Sequence, residues 1–343
     1  MTSPGKNKVR LAVVGCGAVA SIHHLPAIAA SERAEASVLV DADAGRARSL
    51  AAKWGVPTVL TDYREAVGRV DAAVVALPNS LHAPVAVDLL RRGVHVLVEK
   101  PMALTVAECD AMIEAAAAGG ARLAVGLEFR FFDSTRLVRD LLADGLLGEL
   151  QSFELRQGVI PRWPFATDYF LKKESAGGGV LTDFGVHVLD LLLVWLGDLE
   201  VARYRDDALG GIESDCEIEL RTASGLAGIA EVSRTRNLRN TCIFTGERGT
   251  LEAGVWDPDP VIALRLHGHE VALAGQARRG TDGGLDFGSS FVRQIDDFTV
   301  ALLEDREPRV SGREGRRSMV LVEECYARRE PLELPWAVPG GLA

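Results

Sequence analysis

The sequence has little of what several functional classes require. It has no excess of basic charge: 38 lysines and arginines stand against 48 aspartates and glutamates, a formal net charge of −10. That excludes the broad basic face needed by a nucleic-acid partner or an anionic membrane surface. Cysteine is sparse and odd in number, with Cys16, Cys109, Cys216, Cys242 and Cys325 scattered and no Cys-x-x-Cys pair. A disulfide framework or thiolate zinc site is thereby excluded, and a reducing, cytoplasmic setting is expected. No apolar run before the first strand reads as a secretory signal. The most apolar later stretch, 180–196, is interrupted by Asp183, His187 and Asp190, so a membrane span is not expected. What is present is 48% hydrophobic and 25% charged over 343 residues. Those are globular proportions, on a chain long enough for two domains and a sizeable core.

The first chemical signal lies at 9–20. An apolar run of strand length ends in Gly15-Cys16-Gly17-Ala18-Val19-Ala20, and a helix-compatible stretch follows. This is the dinucleotide fingerprint: Gly15 for the tight turn, Gly17 for backbone approach to a pyrophosphate, Ala20 for close helix–strand packing. The pyrophosphate would rest on free N–H groups at the helix start, formed by Ala18 and Val19 with their neighbours. A second apolar run, 36–40, ends in Asp41, about 20 residues on, where a carboxylate meets ribose hydroxyls. Asp41 accepts from a free 2′-hydroxyl and repels a 2′-phosphate, so NAD is expected over NADP.

Up to Leu127 strands and helices alternate. Strands are expected over 9–14, 36–40, 58–60, 72–77, 94–98 and 122–127, and helices over 19–30, 44–54, 64–67, 83–92 and 106–118. The strands are continuously apolar, as in a parallel sheet covered on both faces. A Rossmann-type, doubly wound α/β domain over 8–127 follows. Beyond it come a helix at 135–143, a strand at 150–156, a long helix at 180–196, six alternating stretches between 217 and 273, and helices at 291–303 and 316–328. This predicts an α+β domain over 128–330 built on an open, mostly antiparallel sheet. Ile218, Leu220 and Ile229 have few later helices to shield them, so a homodimer or homotetramer joined through that sheet is expected.

Two further constellations sit where chemistry is expected. The fifth strand ends in Glu99-Lys100-Pro101, with Lys100 facing the ligand crevice of an open α/β sheet and Pro101 restricting its backbone. The fourth ends in Leu77-Pro78-Asn79 with His82 after it. Asn79 is placed on the second ribose, and His82 either near the cofactor or at a helix start. In Gly177-Gly178-Gly179-Val180-Leu181-Thr182-Asp183, running on to His187 and Asp190, the three polar groups are spaced i, i+4, i+7 on one helical face. The glycines would let substrate approach the backbone. An Asp–His pair satisfied within a structural helix and a metal site are the competing readings. With no third imidazole or thiolate nearby, no metal is assigned.

Taken in order, these motifs resemble the glucose–fructose oxidoreductase / inositol dehydrogenase / rhizopine-catabolism (Gfo/Idh/MocA) family of NAD(P)-dependent enzymes, across nearly the whole chain. The resemblance places catalysis on Lys100, Asp183 and His187. Around the cofactor it gathers Gly15, Gly17, Ala18, Val19, Ala20, Asp41, Leu77, Pro78, Asn79, His82, Glu99, Lys100 and Arg130. Many family members carry Asn where Glu128 stands. It implies hydride transfer at a carbinol carbon of a sugar, cyclitol or nucleotide sugar, with His187 as proton acceptor and Lys100 steadying the oxygen. Arg162 and Trp163, in the Pro/Trp-rich loop at 157–173, join Lys100, Asp183 and His187 as substrate contacts; an unphosphorylated ring is favoured. Two alternatives are a catalytically silent NAD-bound sensor or repressor and an NAD-dependent glycosidase with internal redox cycling.

Overall fold

The computed structural model describes residues 8–161, 168–209, 211–256, 261–269, 271–276 and 287–333. Its first sheet holds β1 (Val9–Val14), β2 (Ala34–Val40), β3 (Thr58–Leu60), β4 (Ala72–Val75), β5 (His95–Glu99) and β6 (Leu123–Gly126), all parallel, in the order β3-β2-β1-β4-β5-β6. Helices α1 (Leu25–Ala30), α2 (Ala44–Trp54), α3 (His82–Arg91) and α4 (Val106–Gly119) supply the crossovers. Thr105 starts α4 with a reciprocal capping box on Glu108, and Gly120 ends it in the left-handed region. The strands are apolar on both sides because both are covered. Ala12, Val14, Val96 and Val98 meet Leu89, Leu90 and Met112, while Leu11, Val13, Leu39 and Leu97 meet Leu25 and Ile28.

The second half adds α5 (Asp133–Ala143), β7 (Leu150–Gly158), the short α6 (Lys173–Ala176) and α7 (Val186–Leu196). Strands β8 (Leu199–Asp206), β9 (Asp215–Thr222), β10 (Ala227–Ser233), β11 (Thr241–Gly246), β12 (Gly249–Gly254), β13 (Val261–Leu266) and β14 (Val271–Gln276) follow. Helices α8 (Phe287–Leu303) and α9 (Gly312–Ala327) and strand β15 (Arg329–Pro331) come last among the described residues. The second sheet runs β14-β13-β12-β11-β7-β10-β9-β8-β15, antiparallel except where β7 meets β10 and β8 meets β15. The fold is thus a Rossmann-type parallel sheet joined to a mixed, mostly antiparallel sheet with helices.

Two features depart from what the sequence predicts. Helix α8 returns to the first sheet, burying Phe291, Ile295, Phe298 and Leu302 against the Leu11, Val13 and Leu39 side. Ile218 and Leu220 are not bare: they are 0% and 1% exposed, on the face that joins the core of α7 and α9. The uncovered face carries Glu154, Arg156, Glu217, Glu219 and Arg205, partly exposed and linked in ion pairs. The strands do alternate, but α9, one of the helices that shield them, lies far along the sequence. The apolar helical stretch Lys173–Leu196 is long enough to cross a membrane, yet Val188, Leu189, Leu191 and Leu192 are buried in the protein core.

Candidate active site

Strand order reverses between β1 and β4, and their carboxyl ends frame the crevice where open α/β sheets hold ligands. Gly15 follows β1 at φ +97°, and a Cβ there would meet the Ala76 carbonyl oxygen at 2.2 Å, so no other residue fits. A Cβ on Gly17 would meet no described atom within 4 Å, leaving the backbone open to a ligand. The turn after it begins without a side-chain cap, which leaves amide donors for a pyrophosphate. That turn, Ala20–His24, is π-helical and passes into α1, where a single regular helix was expected. Asp41 sits at the end of β2, its carboxylate taking the N–H of Cys16 at 2.8 Å and of Asp43 at 2.8 Å. Arg46 Nη1 lies 3.5 Å from the same carboxylate. An open glycine turn, uncapped amides and a fixed carboxylate fit a dinucleotide.

The ends of β5 and β6 face α7. Lys100 Nζ donates to Asp183 Oδ1 at 2.7 Å and to the Asp183 carbonyl at 3.1 Å. Burial alone would lower the ammonium pKa, but the Asp183 carboxylate outweighs it and holds the value above the ordinary lysine range. The Lys100–Pro101 peptide is cis. His187 is buried and stacked on Phe129, ring centroids 4.3 Å apart and planes 17° from parallel. Its Nε2 lies 3.8 Å from Glu128 Oε1, and its Nδ1 has no hydrogen-bond partner among the described residues. Burial, then the nearby Lys100, pulls its pKa well below the usual histidine value, so it is a neutral imidazole. Trp256 closes an aromatic wall, edge-on to Phe129 and Phe184 at 5.8 and 5.4 Å.

Lys100, Asp183 and His187 therefore come together, whereas Asp190 does not join them. The segment Leu181–Gly185 is π-helical before α7 begins, so the spacing of a regular helix misplaces Asp183 relative to the later residues. Asp190 is buried and takes a bidentate pair from Arg130, 2.8 Å to Nε and 2.6 Å to Nη2. Arg130 also reaches Glu314 at 2.8 Å, so the residue expected on the cofactor is held by two carboxylates of the fold. His82 and Glu99 likewise stand behind the crevice. His82 starts α3 with Nδ1 2.8 Å from the Pro101 carbonyl and Nε2 2.9 Å from that of Leu77, the helix-start alternative. Glu99 pairs with buried His24 at 2.6 Å. Asn79 keeps its place after Leu77 and Pro78, with Nδ2 on the Ala176 carbonyl at 2.9 Å. Arg162 and Trp163 lie outside the described residues.

The glycine cluster also serves the protein rather than an approaching ligand. Glu213, fully buried, accepts from Gly179 N at 2.8 Å, Leu181 N at 3.1 Å and Tyr326 Oη at 2.8 Å. A Cβ on Gly179 would strike the Glu213 carbonyl at 1.9 Å. Sequence reading missed His24, Glu213 and the proximity of Glu128 to His187. For Glu128 a signal existed: it follows β6 as Lys100 follows β5. His24 and Glu213 lie in no comparable pattern.

The comparisons agree with this geometry. Residues 9–127 match "Oxidoreductase family, NAD-binding Rossmann fold", and residues 135–252 match the GFO/IDH/MocA C-terminal domain. The chain belongs to the Gfo/Idh/MocA family. It is similar to a putative UDP-kanosamine synthase oxidoreductase subunit of Amycolatopsis mediterranei (strain S699), 29% identical over 96% of this chain and 99% of that one. It is also similar to the D-glucoside 3-dehydrogenase of Escherichia coli (strain K12), 32% identical over 55% of this chain and 54% of that one. Among solved structures, a 3-ketoreductase from Actinomadura kijaniata in complex with NADP and TDP-benzene superposes with a TM-score of 0.84. That structure is 25% identical and is matched over 96% of this chain and 100% of its own. As a member of the family, this chain is an NAD(P)-dependent oxidoreductase acting on CH–OH groups of sugars or the matching ketones.

Proposed function

We propose that the protein transfers hydride between NAD(H) and a carbinol carbon of a sugar or cyclitol ring, carbon 3 where the ring is a sugar. The observation that carries the reading is Lys100 Nζ, held 2.7 Å from Asp183 beside the buried imidazole of His187 at the strand ends. Gly15, Gly17, Ala18, Val19 and Ala20 would hold the pyrophosphate, and Asp41 the adenosine ribose. When bound, the nicotinamide supplies the hydride acceptor or donor. Lys100 remains an ammonium and steadies negative charge on the reacting oxygen. In the oxidising direction His187 Nε2, neutral and held against Phe129, takes the hydroxyl proton. Asp183 orients Lys100. Half-buried Phe184 and Trp256 would offer apolar faces to a sugar ring, while Phe129, fully buried, backs His187.

Carbon 3 is supported by relatives that share that position while differing in what they carry, a glucoside in one case and TDP-benzene in the other. We favour an unphosphorylated glucoside or cyclitol over a nucleotide sugar. Matched substrates test this: methyl glucoside, myo-inositol, UDP-glucose and dTDP-glucose, read by NADH absorbance, with the oxidised carbon located by NMR. Turnover confined to the nucleotide sugars overturns the substrate preference. NAD binding without turnover of any of them indicates the sensor, and aglycone release without NADH accumulation the glycosidase.

NAD rests on the Asp41 carboxylate, with Arg46 the opposing feature. A higher kcat/KM with NADP(H) reverses the choice. We further infer a homodimer or homotetramer through the outer face of the second sheet, where Ile229 and Ile243 are half-buried among charged neighbours. Light scattering at the chain mass of 36.8 kDa over a wide concentration range refutes it.

A further inference from the structure

Resting on the hydride-transfer reading above, we propose that Glu128 is a second acid–base group of this site, its carboxyl exchanging the proton on the reacting oxygen alongside His187. Glu128 opens the short 3-10 turn after β6 and is only 5% exposed. Its Oε1 stands 3.8 Å from His187 Nε2, too far for a hydrogen bond between them. An oxygen atom placed against both is within reach of each. The separation is fixed from two sides, because Phe129, the next residue in the chain, is the ring on which His187 stacks.

The surrounding charges decide which group holds a proton. From the end of β5 come Glu99 and Lys100, and from α7 come His187 and Asp190. Glu99 is kept ionised by His24, and Asp190 is bound to Arg130. Burial first, and then the Glu99 charge, push the Glu128 carboxyl up to about 8. Near neutrality the site therefore rests as a carboxylic acid beside a neutral imidazole, with Lys100 charged.

That resting state is poised for reduction. As hydride from the reduced nicotinamide bonds to the keto carbon, the carbonyl π pair moves onto oxygen. The oxygen takes the Glu128 proton, leaving an alcohol, oxidised nicotinamide and a Glu128 carboxylate near Lys100, and water then restores the proton. Oxidation runs the same exchange backwards and needs Glu128 ionised.

Glu128→Gln keeps shape and polarity but holds no exchangeable acid. In wild type, reduction should fall and oxidation should rise as pH passes about 8. The variant should lose both limbs and about a hundredfold or more in kcat for reduction, with KM shifting far less. A readout without cofactor or turnover is urea unfolding across pH. With the folded pKa raised from 4.5 to about 8, Glu128 supports folding fully below 4.5 and loses that support as pH climbs through about 8. Glu128→Gln should thus match wild type in acid and be the more stable protein above about pH 8, with Glu128→Asn a second variant for the same measurements. An unchanged kcat and pH profile in either variant, or a stability difference that does not move with pH, overturns the proposal. If wild type oxidises or reduces no sugar, the hydride reading fails instead, and the unfolding series still judges the carboxyl.

Discussion

Two ion pairs join the strand ends of the first sheet to the same helical stretch, and they are built to opposite purposes. Arg130–Asp190 is sealed: the side chains are 7% and 1% exposed, the contact is bidentate, and Glu314 adds a third bond. Lys100–Asp183 is a single ammonium on a carboxylate that is 47% exposed, and it opens onto the crevice. A planar guanidinium between two carboxylates fixes geometry, whereas an ammonium on a flexible stem can exchange one oxygen partner for another. The first pair fixes the helix in place, and the second leaves an ammonium at the crevice, where the proposed function puts it on the reacting oxygen.

The largest expected effect comes from breaking the sealed pair. Arg130→Ala leaves the Asp190 charge buried and unpartnered, which costs about 3–5 kcal/mol in buried pairs of this kind. Urea unfolding should show that loss. A variant with wild-type stability would mean that water reaches Asp190, and the contrast between the pairs would collapse. Next comes Lys100→Ala, which removes a contact to the developing charge on oxygen and should lower kcat by about 10²–10³. Its unfolding midpoint should move much less than that of Arg130→Ala, and its NAD affinity should stay near wild type, since the pyrophosphate and ribose contacts remain. Normal turnover with lost NAD binding would make Lys100 a cofactor ligand.

Why the sequence distinguished these pairs so poorly has a physical answer. Alternation, unbroken apolar strands and Gly15 are local signals, and they described the parallel sheet, the glycine turn and Asp41 well. Lys100 was legible because a strand end before Pro101 is itself informative. The family resemblance puts Arg130 on the cofactor, and nothing local in the sequence reveals its ion pairs, because Asp190 lies 60 positions away and Glu314 lies 184 away. Asp183, His187 and Asp190 looked like one face because a regular helix was assumed, and the π-helical turn at Leu181–Gly185 changes that register. The cover over Ile218 and Leu220 was missed for a related reason: α9 arrives about a hundred residues later, and strand β8, bulged between Val201 and Arg203, does not alternate cleanly.

The smallest change sharpens the comparison most. Asp183→Asn removes a charge from the open pair, and with that carboxylate so exposed the stability change should stay within about 1 kcal/mol. The consequence falls on Lys100 instead. Burial lowers its pKa and Asp183 is the leading influence that raises it. Without that carboxylate, burial prevails, although Glu128 and Glu99 still oppose it, and the ammonium loses its proton at lower pH than in wild type. Oxidation is the direction to measure, because ionisation of Glu128 aids it as pH rises. Wild type should hold its oxidation rate through the alkaline range, whereas Asp183→Asn should add a fall there as Lys100 becomes neutral. Lys100→Arg in the same background should abolish that fall even if its overall rate is low, since a guanidinium stays charged. An Asp183→Asn profile that overlays wild type at every alkaline pH would show that Lys100 does not depend on this partner for its charge.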